Sequence, residues 1–109
     1  MLNYIHYPST KSNKTPLLIV HGLYGSARNW GVISKRLSDE REVFAIDHRN
    51  HGDSQWCKTQ SYSDMAGDLQ EFLEHFGSMA VLGHSMGGKA AMLSLKHISE
   101  PTRQDRISY

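Results

Sequence analysis

A serine held between two glycines is the residue of this chain best suited to covalent chemistry. Ser85 lies in Gly83-His84-Ser85-Met86-Gly87, directly after the apolar run Met79-Ala80-Val81-Leu82 and directly before Gly88-Lys89-Ala90-Ala91-Met92. That order reads as strand, sharp turn and helix, the setting in which a G-x-S-x-G serine presents its hydroxyl. The turn is too tight for side chains at its flanks, which accounts for the glycines on either side. Acyl transfer by such a serine needs an activated hydroxyl, donors for the developing oxyanion, and a base steadied by an acid. The amide of Met86, the residue after the serine, is one natural donor. A second is expected from a glycine-bearing loop after an adjacent strand. His21-Gly22-Leu23-Tyr24-Gly25-Ser26 is such a loop, and the amide of Leu23 is the one that would face the serine.

The base is harder to find. His84 neighbours Ser85, but adjacent residues on a sharp turn point their side chains apart, so it reads as a packing and hydrogen-bonding residue. His75 and His97 fall on helical stretches without a paired acid, and His6 falls on an edge strand. Asp47-His48-Arg49-Asn50-His51-Gly52-Asp53-Ser54 holds two histidines and two aspartates. A zinc site would draw ligands from more than one element in a defined geometry. The loop is therefore read as a hydrogen-bonded buttress beside the serine, with Arg49 pairing to a carboxylate or a backbone carbonyl, and no metal or other cofactor is expected. Cys57, beside Trp56 in a polar loop, reads as incidental. Tyr24, Trp30 and Trp56 are candidates to line part of a pocket, although core or surface packing is the more frequent fate of such aromatics.

The elements that must position these residues alternate along the chain. Pro16-Leu17-Leu18-Ile19-Val20, Glu42-Val43-Phe44-Ala45-Ile46 and Met79-Ala80-Val81-Leu82 are short apolar runs, each followed by a glycine-bearing loop. Uniform apolarity is what a strand covered on both faces of a parallel sheet requires. Residues 2–7 alternate and are expected to form an edge strand. A helix opens at Ser26, with Trp30, Ile33 and Leu37 on one face. A second carries Tyr62, Met65, Leu69, Phe72, Leu73 and Phe76, with Ser61 or Ser63 as its N-cap and Gly77 as its stop. A third begins at Ser85. The class is α/β with a parallel sheet.

Bulk properties narrow the partners. The chain has 109 residues, room for one small domain. Twelve Lys and Arg against eleven Asp and Glu give a net charge of +1, which predicts no electrostatic capture of nucleic acid or of an anionic membrane. One cysteine permits no internal disulfide. No apolar run approaches the ~20 residues of a bilayer span, and the first residues lack the pattern of a signal peptide. A soluble, cytoplasmic protein is expected.

Taken in series, His21-Gly22-Leu23-Tyr24-Gly25-Ser26, Asp47-His48-Arg49-Asn50-His51-Gly52-Asp53-Ser54 and Gly83-His84-Ser85-Met86-Gly87-Gly88-Lys89 resemble the amino-terminal part of α/β-hydrolase fold serine esterases. The likeness is greatest to small bacterial and mitochondrial esterases marked by H-G-L-[FY]-G-S, R-N-H-G-x-S and G-H-S-M-G-G-K, and it runs from about residue 16 to about residue 92. The resemblance implies Ser85 as nucleophile, the Leu23 and Met86 amides as oxyanion hole, and a small-molecule ester or thioester as substrate. It implies a sheet in which the strand at 16–20 lies between those at 42–46 and 79–82. It also places the acid and histidine of the triad after the serine. Here the only later aspartate is Asp105 and the only later histidine is His97, which precedes it. Neither triad partner is supplied by this chain, so an inactive fragment is expected.

The tail has its own likeness. Residues 93–103 resemble the conceptual translation of a transposon-based sequencing-library adapter, with 104–106 on its variable index and 107–109 on the constant sequence that follows. The expected division is a partial α/β-hydrolase domain over 1–92, truncated after the helix that begins at Ser85, and a non-native tail over 93–109. Truncation there would leave the strand at 79–82 as an unpaired edge, open to self-association. Two other readings keep the fold: a carbon–carbon hydrolase or haloperoxidase-like enzyme, and a non-catalytic binding fragment. Ser85 argues against the branch in which aspartate is the nucleophile.

Overall fold

The computed structural model describes residues 1–11, 14–96 and 107–108. Its five strands form one sheet in the order β1-β3-β2-β4-β5: β1 Tyr4–Tyr7, β2 Leu17–Val20, β3 Val43–Ile46, β4 Ala80–Gly83 and β5 Ile107–Ser108. The strands β3, β2 and β4 run parallel, as uniform apolarity predicts, and β1 adds to the outer edge of β3 in the antiparallel sense. The sheet is thus mixed, with its one antiparallel member at the edge where the sequence alternates.

Register decides where chemistry can occur. Val20 is level with Ile46 on one side and with Gly83 on the other. The loops that follow these three residues therefore emerge together at the carboxyl edge of the sheet. The chain passes from β2 to β3 on one side and then crosses to β4 on the other, so the β2–β4 boundary is the point of topological reversal at which open α/β sheets form their crevices.

Alternate residues of the strands feed two cores. Leu18, Val20, Phe44, Ile46 and Val81 face α2 (Tyr62–Phe76) and α3 (Met86–Lys96), whose Met65, Leu69, Phe72, Ala90 and Ala91 close that side. Leu2 is buried in the same cluster, and Tyr4 packs between Phe72 and Phe76. Ile19, Val43 and Ala45 face the other way, against the 3₁₀ turn Ala27–Trp30 that leads into α1 (Gly31–Leu37).

Two helical expectations meet different outcomes. α2 has the predicted apolar face and the predicted ends. The Ser61 hydroxyl accepts from the Asp64 amide while the Asp64 carboxylate accepts from the Ser61 amide, and Gly77 follows with φ 95. In α1 the expected face is largely not the covered one: Ile33 is 44% exposed and Leu37 37% exposed, while Ser34 is buried and Trp30 half-buried. The helix has only seven residues, and Ala27 in the turn before it supplies the close contact with the sheet.

The expectation of an unpaired β4 edge is corrected as well. Val81 and Leu82 pair in parallel with Ile107 and Ser108, so part of that edge carries a ladder. α3 continues to Lys96, beyond Met92, with Ser94 buried and its hydroxyl donating to the Ala91 carbonyl at 2.7 Å. Asp105 and His97 lie outside the described residues.

Candidate active site

Ser85 occupies the step between β4 and α3 with φ 52, a left-handed conformation that costs a residue with a Cβ roughly 1–2 kcal/mol. Its side chain is exposed. The turn is closed by three backbone bonds: the His84 amide donates to the Val20 carbonyl at 3.0 Å, the Gly87 amide to the His84 carbonyl at 2.9 Å, and the Lys89 amide to the Ser85 carbonyl at 3.1 Å. The flanking glycines are required for space. A Cβ on residue 83 would lie 2.6 Å from the Gly88 Cα, and one on residue 87 would strike the carbonyl oxygens of Val20 and His21.

The loop after β2 lies against this turn. A Cβ on Gly22 would stand 2.9 Å from His84 Nδ1, 3.2 Å from the His84 carbonyl and 3.6 Å from the Ser85 Cβ. Only a bare backbone comes this close, so loop 21–25 and Ser85 share one small space at the β2–β4 crevice. Among the described residues, neither the Leu23 nor the Met86 amide donates to a protein acceptor. Both are free to receive an acceptor from outside the chain. On the Leu23 side lies a cleft of about 340 Å³ lined by Leu23, Tyr24, Trp30, Ile33 and His84, and neither Ser85 nor Met86 is part of its lining. Tyr24 and Trp30 thus line a cleft rather than only packing, whereas Trp56 lies outside it and is 77% exposed.

The remaining histidines fall where their local sequence suggests. The His84 ring packs 5.9 Å from that of Trp30. His6 pairs with Glu42 at 3.0 Å and stacks on Phe44, and His75 packs edge-on against Phe76. No described histidine is bonded to Ser85.

Behind the crevice stands a polar scaffold built mainly by residues 47–54. Asp47, buried at the end of β3, accepts from the Ala27 amide at 2.7 Å, the Asn3 side chain at 2.9 Å and the Asp53 amide at 3.1 Å. Burial alone would push its carboxyl up. The bonds from Ala27, Asn3 and Asp53, with His21 nearby, outweigh that effect and hold it below the usual carboxylate value. A side chain at residue 52 would overlap the Asp47 carboxyl, and Gly52 also has φ 50. Arg49 meets Asp68 of α2 in a two-point pair at 2.8 and 2.9 Å, and its third nitrogen reaches the Thr59 carbonyl at 3.3 Å. This is the expected pairing, made to a carboxylate and a carbonyl together. It fixes the guanidinium and raises its pKa, chiefly through the Asp68 bonds.

Sequence reading expects residues 47–54 to buttress the site but misses that two histidine rings, His21 and His51, make the bonds. His21 Nδ1 donates to the Gly22 carbonyl at 2.6 Å, and its Nε2 accepts from the His48 amide at 2.9 Å. His51 Nδ1 donates to the Arg49 carbonyl at 2.9 Å, and its Nε2 accepts from the Tyr24 amide at 3.3 Å. The His48 ring is fully buried, 4.6 Å from that of His21, and burial lowers its pKa to about 3, with His21 and His51 adding to the effect. Burial lowers the His21 pKa too. With every nitrogen of His21 and His51 committed to backbone, these rings brace loops, and among the described residues no three ligating side chains are grouped to hold a metal. The signal that would have found the brace was register: residues just past the ends of two paired parallel strands must be neighbours.

Known proteins resemble this chain in sequence and in fold. An abhydrolase domain-containing protein of Schizosaccharomyces pombe is 42% identical over 92 residues, which is 81% of this chain and 34% of that protein. A diacylglycerol lipase specific for the sn-1 position, from Danio rerio, is 41% identical over 101 residues, 89% of this chain and 31% of its own length. A solved marine microorganism esterase superposes with a TM-score of 0.85 at 38% identity, covering 97% of this chain and 40% of that one. The chain thus spans about a third of the length of the curated relatives it matches. No helix among the described residues is long and apolar enough to cross a membrane. The sequence model of the alpha/beta hydrolase fold matches residues 15–108, and on that match, together with the strand order and the turn at Ser85, the chain belongs to the alpha/beta hydrolase family.

Proposed function

We propose that Ser85 is the nucleophile of a serine hydrolase acting on carboxylic esters or thioesters through an acyl-enzyme. Ser85 gives up its proton as Oγ attacks the substrate carbonyl, and the carbonyl oxygen takes up negative charge between the Leu23 and Met86 amides. Collapse expels the alcohol or thiol with that proton, and water then cleaves the acyl-serine ester to release the acid and restore Ser85. Each amide donor is worth roughly 3–4 kcal/mol of transition-state stabilisation. The observation that carries this reading is Ser85 at φ 52 with the Gly22 backbone packed against it and two unengaged amides alongside. The names of the marine microorganism esterase and the Danio rerio diacylglycerol lipase favour an ester substrate over the carbon–carbon and haloperoxidase-like alternatives. A base to take the serine proton is not among the described residues, so the 109-residue chain is itself proposed to be nearly inert.

A fluorophosphonate probe tests both halves. It is applied to this chain and to a form extended to the relatives' length, each beside its Ser85→Ala variant. The extended form should label rapidly and lose labelling in the variant, with the short chain slower by about 10³-fold or more. Equal labelling with and without Ser85 would remove the assignment. The β4–β5 ladder spans two residues of β4. We further propose that the short chain self-associates along this lightly covered edge, and a single monomeric species at all concentrations in sedimentation velocity would overturn that.

A further inference from the structure

We infer that His21 and His51 are positioning residues that form a reciprocal clasp, setting the backbone of loop 21–25 against Ser85. The clasp is reciprocal because each loop lends a ring to the other. His21, in the loop after β2, accepts the His48 amide of the loop after β3 (2.9 Å), and His51 accepts the Tyr24 amide in return (3.3 Å). Each ring is aimed by its other nitrogen, which donates to a carbonyl of its own loop: Gly22 for His21 and Arg49 for His51. Both rings therefore carry their proton on Nδ1 and offer a bare Nε2 to a backbone N–H. Tyr24 sits at φ 61, a strained conformation for a bulky residue, and its ring is 91% exposed. Its side chain is not what holds it there; its amide is tied to His51. Leu23 lies between Gly22, packed on the turn, and Tyr24, held by His51, so the clasp fixes the direction of the Leu23 amide.

This rests on the reading of that amide as an oxyanion donor and adds what orients it. It also makes the clasp work only while both rings are neutral. A proton on either Nε2 would set two donors against each other. The groups around the clasp are His48 against His21, Asp47 at the end of β3, His84 across Gly22 on the turn, and the Arg28–Asp53 pair at 4.0 Å on the rim. Among the described residues no carboxylate oxygen is bonded to either Nε2: those of Asp47 accept from Ala27, Asn3 and Asp53, and that of Asp53 faces Arg28.

The test begins with nitrogen-15 spectra of the 109-residue chain at dilution, which read the protonated nitrogen of each histidine. The clasp requires Nδ1–H on both rings at neutral pH and a scalar coupling across the His48 N–H to His21 Nε2 bond. A proton on Nε2 of both rings would overturn it without any variant having to fold. In His51→Ala, exchange of the Tyr24 amide should quicken at least about tenfold, while amides in the middle of α2 keep their rates. His51→Gln, which retains an acceptor and a donor, should restore most of the protection. Unchanged Tyr24 exchange in His51→Ala would overturn the clasp. In the extended form, His51→Ala should slow Ser85 labelling by about tenfold and His51→Gln should recover it. An intact clasp in an extended form that never labels would refute the proposed function and leave the clasp standing; rapid labelling that His51→Ala does not slow would do the reverse.

Discussion

Ser85 holds its φ of 52 because its neighbours leave it no alternative: the helix begins at Met86, the strand ends at Gly83, and Gly87 is pressed on the carbonyls of Val20 and His21. Strain of this kind persists only where surrounding structure over-determines it, and it concentrates at functional positions. The substitution series at this residue should show it. Ser85→Gly relieves the left-handed strain and Ser85→Ala keeps it, so the glycine variant should be the more stable by about 1 kcal/mol in urea unfolding, the reverse of the order in a helix interior. An alanine variant equal to or above glycine would mean the turn is unstrained. The serine was legible in the sequence because its chemistry is written locally, in glycines that must be small. The clasp was not, because His21 and His51 act on backbone groups 27 residues away, and no local pattern announces a partner that is an amide.

At the scale of elements, the apolar runs at 16–20, 42–46 and 79–82 announced the strands found at 17–20, 43–46 and 80–83, and their uniformity announced the parallel pairing. Helix α2 shows how far periodicity and capping reach, since both its buried face and its first turn follow from residue types. Ser61→Ala removes one arm of the reciprocal cap and should cost about 1 kcal/mol, measured as a lower urea midpoint at unchanged slope. Asp64→Ala, cutting the other arm, should act in the same direction. In helix α1 periodicity does not decide burial. Trp30, Ile33 and Leu37 do share a spacing, but spacing specifies a face and not what covers it, and here only the Trp30 end reaches the sheet. Likewise the alternation in β1 announced an edge strand without fixing its antiparallel direction, which follows from the Asn3–Asp47 bonds at the strand's root.

Over the whole molecule, buried neutral imidazoles make the fold acid-sensitive. The His48 pKa is about 3 in the folded chain against about 6.5 when exposed. The unfolded chain therefore binds the extra proton between those values. Stability is intact above about pH 6.5 and declines as the pH falls towards 3, by about 2 kcal/mol between pH 6 and pH 4 from this residue alone. His21 and Asp47, both with lowered values, push the same way. Urea midpoints taken at pH 6 and pH 4 should separate in the parent chain and draw together in His48→Asn; an equal separation in both would place the acid sensitivity elsewhere.

The strand order has a consequence for synthesis. β2 is flanked by β3 and β4, yet β4 is not reached until residue 80. While residues 47 to 79 emerge from the ribosome, Leu17–Val20 can have one neighbour in place and its other row of backbone donors and acceptors bare. Such a half-sheltered strand is an invitation to foreign pairing during translation. The arrival of β4 covers that row and, in the same movement, delivers Ser85 to the loops already waiting for it.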